Sequence, residues 1–97
     1  MSDEWDTQLN KNCRKRLSKM GKGVNRRLKS ALEKLEESPE KLGKPLSGYK
    51  GFYSYRTGTP GGEYRIIYRL KKEKGLILVD LIAPREEVYE ILERKEN

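Results

Sequence analysis

The side chains of this chain best suited to chemistry are cationic and fall into three groups. Lys50, Phe52, Ser54 and Arg56 alternate along one stretch, Arg65 and Arg69 along the next, and Arg85 and Tyr89 stand four apart near the C-terminus. Residues two apart share a strand face, and residues four apart share a helix face. If the two stretches pair as a hairpin, their rows form a cationic furrow, with Arg85 and Tyr89 brought to its edge by the last helix. Guanidinium groups offer planar, paired donors to phosphate oxygens, so this pattern points to phosphate binding. There is no histidine and only one cysteine, Cys13. Imidazole catalysis and an ordinary zinc site are therefore excluded, and no metal or cofactor is expected. The chemistry falls to Lys, Arg, Tyr, Glu, Asp or Ser.

The elements that must hold these residues follow from periodicity. Leu9, Cys13, Leu17 and Met20 step by four, four and three, and Val24, Leu28, Ala31, Leu32 and Leu35 repeat the pattern after Gly21-Lys22-Gly23. This predicts an αα-hairpin whose second helix ends at Ser38-Pro39. A short Trp5-Asp6-Thr7 piece before it reads as an edge strand. Beyond Gly43 the period becomes two, and Phe52 to Thr57, Glu63 to Leu70 and Leu76 to Ile82 read as an antiparallel meander joined through Gly58 to Gly62 and Lys71 to Gly75. The Thr57 to Gly62 loop is longer than a minimal hairpin turn. Tyr64, Ile66, Tyr68 and Leu70 make a core face, and Arg65, Ile67 and Arg69 a charged one. Val88, Ile91 and Leu92 mark a short C-terminal helix beginning near Arg85. The fold class is α+β, (β)ααβββα, with the N-terminal α-hairpin packed on one face of a small antiparallel sheet.

Composition bounds the rest. Ninety-seven residues suit one domain over 1–97, and 34% hydrophobic content leaves no run of the ~20 apolar residues a membrane span needs. A lone cysteine and the absence of an apolar leader suggest a cytoplasmic protein. The net charge is +7 and its distribution is uneven. Lys11, Arg14, Lys15, Arg16, Lys19, Lys22, Arg26, Arg27 and Lys29 occur without an acid among them, and Lys41 to Gly62 also lacks a carboxylate. These two basic regions could converge on one polyanion, or the first could be a solvated helix face.

Leu46-Ser47-Gly48-Tyr49-Lys50-Gly51-Phe52-Tyr53-Ser54-Tyr55-Arg56, then Glu63-Tyr64-Arg65-Ile66-Ile67-Tyr68, then Val79 to Tyr89 with its Arg85-Glu86-Glu87-Val88-Tyr89 ending, resemble the RelE/ParE toxin superfamily of toxin–antitoxin systems. The resemblance spans about Leu17 to Leu92 and agrees with the ααβββα order. It implies a RelE-like fold and, on the RelE branch, metal-independent cleavage of mRNA in the ribosomal 30S A site by attack of a 2′-hydroxyl on the adjacent phosphate. It also implies a small cognate antitoxin. Carried over residue by residue, it makes Arg65 and Arg85 phosphate clamps, Arg56 a further cation, and Tyr89 a base-stacking or proton-transfer residue. Ser54 stands where the RelE type carries lysine, and arginine is a poor base. Lys50 on the same strand face, or Glu63, would then accept the proton. The ParE branch implies instead a non-catalytic inhibitor of DNA gyrase, and a plain RNA- or DNA-binding module is the third reading.

Structural roles compete for several of these residues. Arg69 reads as mostly structural, Tyr64 and Tyr68 as core, and Tyr53 and Tyr55 as packing residues. Trp5 reads as packing near the chain start, and Cys13 as a small buried hydrophobe.

Overall fold

Alternating aromatic and β-branched residues drive the middle of the chain into three long strands. β3 (Tyr53–Thr59), β4 (Gly62–Lys71) and β5 (Leu76–Pro84) form the expected antiparallel meander. Around them lie β1 (Asp6–Leu9), α1 (Lys11–Lys19), α2 (Lys22–Leu35), α3 (Pro39–Leu42), β2 (Lys44–Pro45) and α4 (Val88–Glu96). This is a computed structural model that describes residues 5–96, so residues 1–4 and 97 of the expected single unit lie outside it. The described strands form one sheet in the order β1-β5-β4-β3-β2.

The α+β class and the N-terminal hairpin are as the sequence implies, with two corrections to the sheet. It is mixed rather than antiparallel, because β1 runs parallel to β5, pairing Asp6 with Leu76 through Leu9 with Val79. The edge strand expected at Trp5-Asp6-Thr7 thus runs to Leu9. The second correction concerns layers. α1 and α2 bury Cys13, Leu17, Leu28, Ala31, Leu32 and Leu35 against Ile66, Tyr68, Ile77, Val79 and Ile82 on one face. A second core of Leu46, Ile67, Leu81, Ala83, Val88 and Leu92 lies on the other, beneath α4. Ile67 is fully buried there, so the face read as charged is charged only at its ends. A signal for this was present in β5, whose Leu76 to Ala83 run is broken only by Asp80, since a strand covered on both faces loses its alternation.

A bulge sets which residue goes where. Ile67 pairs with Leu81 but Tyr68 pairs with Val79, which leaves Asp80 as an extra residue in β5. Val79 faces α1 and α2, whereas Leu81, two residues on, faces α4. The inserted residue reverses the parity and places Asp80 and Leu81 together on the α4 side.

Local chemistry fixes the ends. Asn10 caps α1, its Oδ1 accepting from the Cys13 N–H at 2.8 Å. α2 stops at Leu35, and Pro39, expected only as a terminator, instead opens α3 from its first position. Gly43 follows, and a Cβ there would lie 2.0 Å from the Tyr68 hydroxyl oxygen. Tyr68 is fully buried, stacked on Tyr53 at 5.4 Å, and donates to the Pro39 carbonyl at 2.6 Å. Only glycine lets the chain pass so close to that hydroxyl. The β3–β4 connection is the two-residue turn Pro60-Gly61, not a long loop. Gly23 and Val24 of α2 pack against it.

Candidate active site

The antiparallel register makes Arg56 and Arg65 direct cross-strand partners. Both stand on the α4 side of the sheet, since Arg65 shares the parity of Ile67. Like charges placed opposite one another destabilise a sheet, so folding does not explain the pair. Ser54 is one step along the same row, and its partner on β2 is Lys44. These four residues, with Leu42, Pro45, Leu46, Ser47, Tyr55 and Tyr89, line a cleft of about 350 Å³. Tyr89 joins the lining from α4.

The sequence-derived residues separate here. Arg56, Arg65 and Tyr89 come together as expected, and Glu63 approaches Arg65, its Oε2 accepting from Nε at 3.3 Å. Lys50 does not join them. The strand begins at Tyr53, and Lys50 lies exposed in the turns of residues 47–51, where Gly48 and Gly51 adopt φ of +84° and +87°. Strand alternation therefore never reaches Lys50. Arg85 also stays outside the cleft lining. It belongs to an exposed 3₁₀ turn, Arg85–Glu87, that precedes α4, so it and Tyr89 do not share one uninterrupted helix face. Pro84 pairs with Tyr64, which leaves Arg85 one residue past the strand end. Arg69 is spent elsewhere, since its guanidinium holds Asp80 through two bonds of 2.8 and 2.9 Å.

Lys44 also lines the cleft, and sequence reasoning passed over it. It belongs to the carboxylate-free stretch from Lys41 to Gly62, but a two-residue strand has too little periodicity to be seen. Its register places an ammonium beside Ser54.

The two basic regions do not converge. The cleft opens on the α4 side near the β2 edge, whereas α2 packs on the opposite face. Lys15, Arg16 and Lys19 of α1 line a separate groove with Asp80, Leu81 and Ile91.

A mixed sheet with a helical hairpin on one face, a terminal helix on the other and a guanidinium-lined cleft beside that helix defines a RelE-like toxin fold. The chain belongs to the family described as the ParE toxin of type II toxin–antitoxin systems, parDE, whose model matches residues 5–89, and so to the RelE/ParE superfamily. A mutant of the Escherichia coli toxin RelE in the free state is similar at 26% identity, with a TM-score of 0.71 over 90% of this chain and 92% of that one. The toxin–antitoxin complex RelBE of E. coli is similar at 26% identity and TM-score 0.70, over 82% and 95%. The archaeal RelE–RelB complex from Pyrococcus horikoshii gives 27% and 0.62, over 84% and 96%. No curated protein sequence matches the chain. Among the described residues no helix is long and apolar enough to cross a membrane.

Proposed function

We propose that this toxin cleaves messenger RNA in the ribosomal A site, with Arg56 and Arg65 gripping the scissile phosphate. The RNA supplies its own nucleophile. A ribose 2′-oxygen loses its proton and attacks the adjacent phosphorus, the bond to the 5′-oxygen breaks, and that oxygen takes up a proton. The residues needed are cations around the pentavalent phosphate and groups that move two protons. The Arg56 and Arg65 guanidinium groups serve as the cations. The proton transfers fall to Lys44 and Tyr89, and Arg85, just past the end of β5, is the cation for a neighbouring phosphate.

The observation that carries this reading is the Lys44–Ser54 register, because it returns an amine to a site whose own strand lacks one. A small antitoxin is the proposed protein partner, as in the RelBE and RelE–RelB complexes, with an acidic segment against the cations of α1 and α2. The proposed setting is the cytoplasm, where ribosomes are.

The match to the ParE family model favours a second reading, gyrase inhibition by binding alone. Primer extension on translated mRNA separates the two. Cuts made by the wild type and lost in Arg65→Ala and Lys44→Ala support cleavage. Growth arrest without cuts, together with inhibited gyrase, overturns it.

A further inference from the structure

Tyr89 is the large apolar side chain left exposed among the described residues, at 42%. A ring on a helix surface is ordinarily free to change rotamer. Here Tyr49 meets it, with centroids 6.2 Å apart and planes tilted by 43°. Tyr49 sits in the Leu46-to-Phe52 connection, a segment outside the sheet ladder that is closed on itself by backbone bonds. The Leu46 N–H donates to the Phe52 carbonyl at 2.8 Å, Tyr49 N–H to Leu46 at 3.1 Å, and Phe52 N–H to Tyr49 at 3.1 Å.

Behind Tyr49 the contacts continue into the sheet. Phe52 presents an edge to it, at 6.4 Å and 79°. The Arg69 guanidinium carbon lies 5.4 Å from the centre of the Phe52 ring. Arg69 is fixed in turn by its two bonds to Asp80, the bulge residue of β5. The Asp80 carbonyl accepts from Asn10 Nδ2 at 3.1 Å, which ties the far end to the cap of α1. A chain of edge-to-face, cation-over-ring and forked ionic contacts thus runs from the bulge to the wall of the cleft.

We propose that Tyr49, backed by Phe52 and the Arg69–Asp80 pair, is a positioning residue that fixes the Tyr89 ring at the cleft. Its effect on RNA cleavage rests on the function proposed above, whereas the fixing of the ring does not. Asp80 thereby acts on Tyr89 at a distance.

Fluorine NMR on protein labelled with 3-fluorotyrosine tests the ring, with the Tyr89 signal assigned by its loss in Tyr89→Phe. Tyr49→Leu and Asp80→Asn each move that signal towards the random-coil position. Lys72→Ala, which breaks a surface ion pair with Glu40, leaves it in place. An unmoved Tyr89 signal in both variants, with cooperative unfolding intact, overturns the proposal. Cleavage kinetics test the consequence. Tyr49→Leu lowers kcat about tenfold with little change in KM, as misplacing a reacting group does, and Tyr49→Phe restores it. A raised KM at unchanged kcat also overturns the positioning role. If the wild type makes no cuts, the cleavage reading alone fails and the fluorine signal still decides whether the ring is held.

Discussion

The opposition of Arg56 and Arg65 sets folding against the proposed activity in two side chains. Of the two, Arg65 has a carboxylate neighbour, Glu63, at 3.3 Å. Arg56→Gln should therefore leave stability unchanged or raise it by up to about 1 kcal/mol. The same change should lower RNA cleavage by roughly a hundredfold, the usual cost of removing one preorganised charge-stabilising group. Thermal unfolding and primer extension on one preparation check both halves, and a parallel loss of stability and activity would contradict the assignment. Tyr68 shows the opposite balance, a buried polar group serving the fold. Burial pushes its hydroxyl up to about 12 from the ordinary 10, against the lowering effect of the hydrogen bond from Gly43. Its folded value lies above the unfolded one, so the neutral hydroxyl stabilises the fold fully below pH 10. That contribution drains away between pH 10 and about 12. Tyr68→Phe should cost ~1–3 kcal/mol at neutral pH by leaving the Pro39 carbonyl without its donor. The gap between wild type and variant should narrow as denaturation is repeated from pH 9 to pH 12.

At the scale of elements, the bulge in β5 does the most. By reversing parity between Val79 and Leu81 it lets one strand feed both cores and delivers Asp80 to Arg69. Asn10 joins three elements here, since its side chain caps α1, reaches the bulge carbonyl and stands directly after β1. Asn10→Ala should cost about 1 kcal/mol as a lost cap, with any further loss reporting the bond to Asp80. Asn10→Ser, which keeps the cap but not the reach to Asp80, should recover the first part only. Chemical denaturation of the three proteins gives the comparison. β2 is the smallest element and decides the site, because two residues of pairing bring Lys44 to Ser54.

For the whole molecule, the α2 helix and the cationic cleft lie on opposite faces of the sheet. On the proposed function, the cations of α2 lie away from the RNA held in the cleft. Lys22, Arg26 and Lys29 follow the i, i+4, i+7 spacing of one exposed helix face beside Ser18, Asn25 and Ser30. Changing all three to Gln should reduce the salt dependence of overall RNA association, lowering the slope of log K against log salt by about 2 to 3. The cleavage step measured at saturating ribosomes should stay the same. A drop in single-turnover rate would show that this face reaches the chemistry after all.

Much of this was written into the order of residues. The helical stripes from Leu9 to Leu35, the meander and the Arg56, Arg65 and Tyr89 cluster were all legible, because period and family motif depend on near neighbours in the chain. The two-sided core, the parallel β1, the short β2 and the exclusion of Lys50 and Arg85 from the cleft were not. Each depends on a partner far along the sequence or on a break in regular geometry. Lys50 leaves the row because turns at Gly48 and Gly51 interrupt the strand, and Arg85 does so because a 3₁₀ turn separates it from α4. Residue types alone left arginine, lysine and tyrosine, and no histidine, to line any site for an anion. Cross-strand register decided which cations share a cleft, because side chains distant in sequence become neighbours only when backbone hydrogen bonds align their strands.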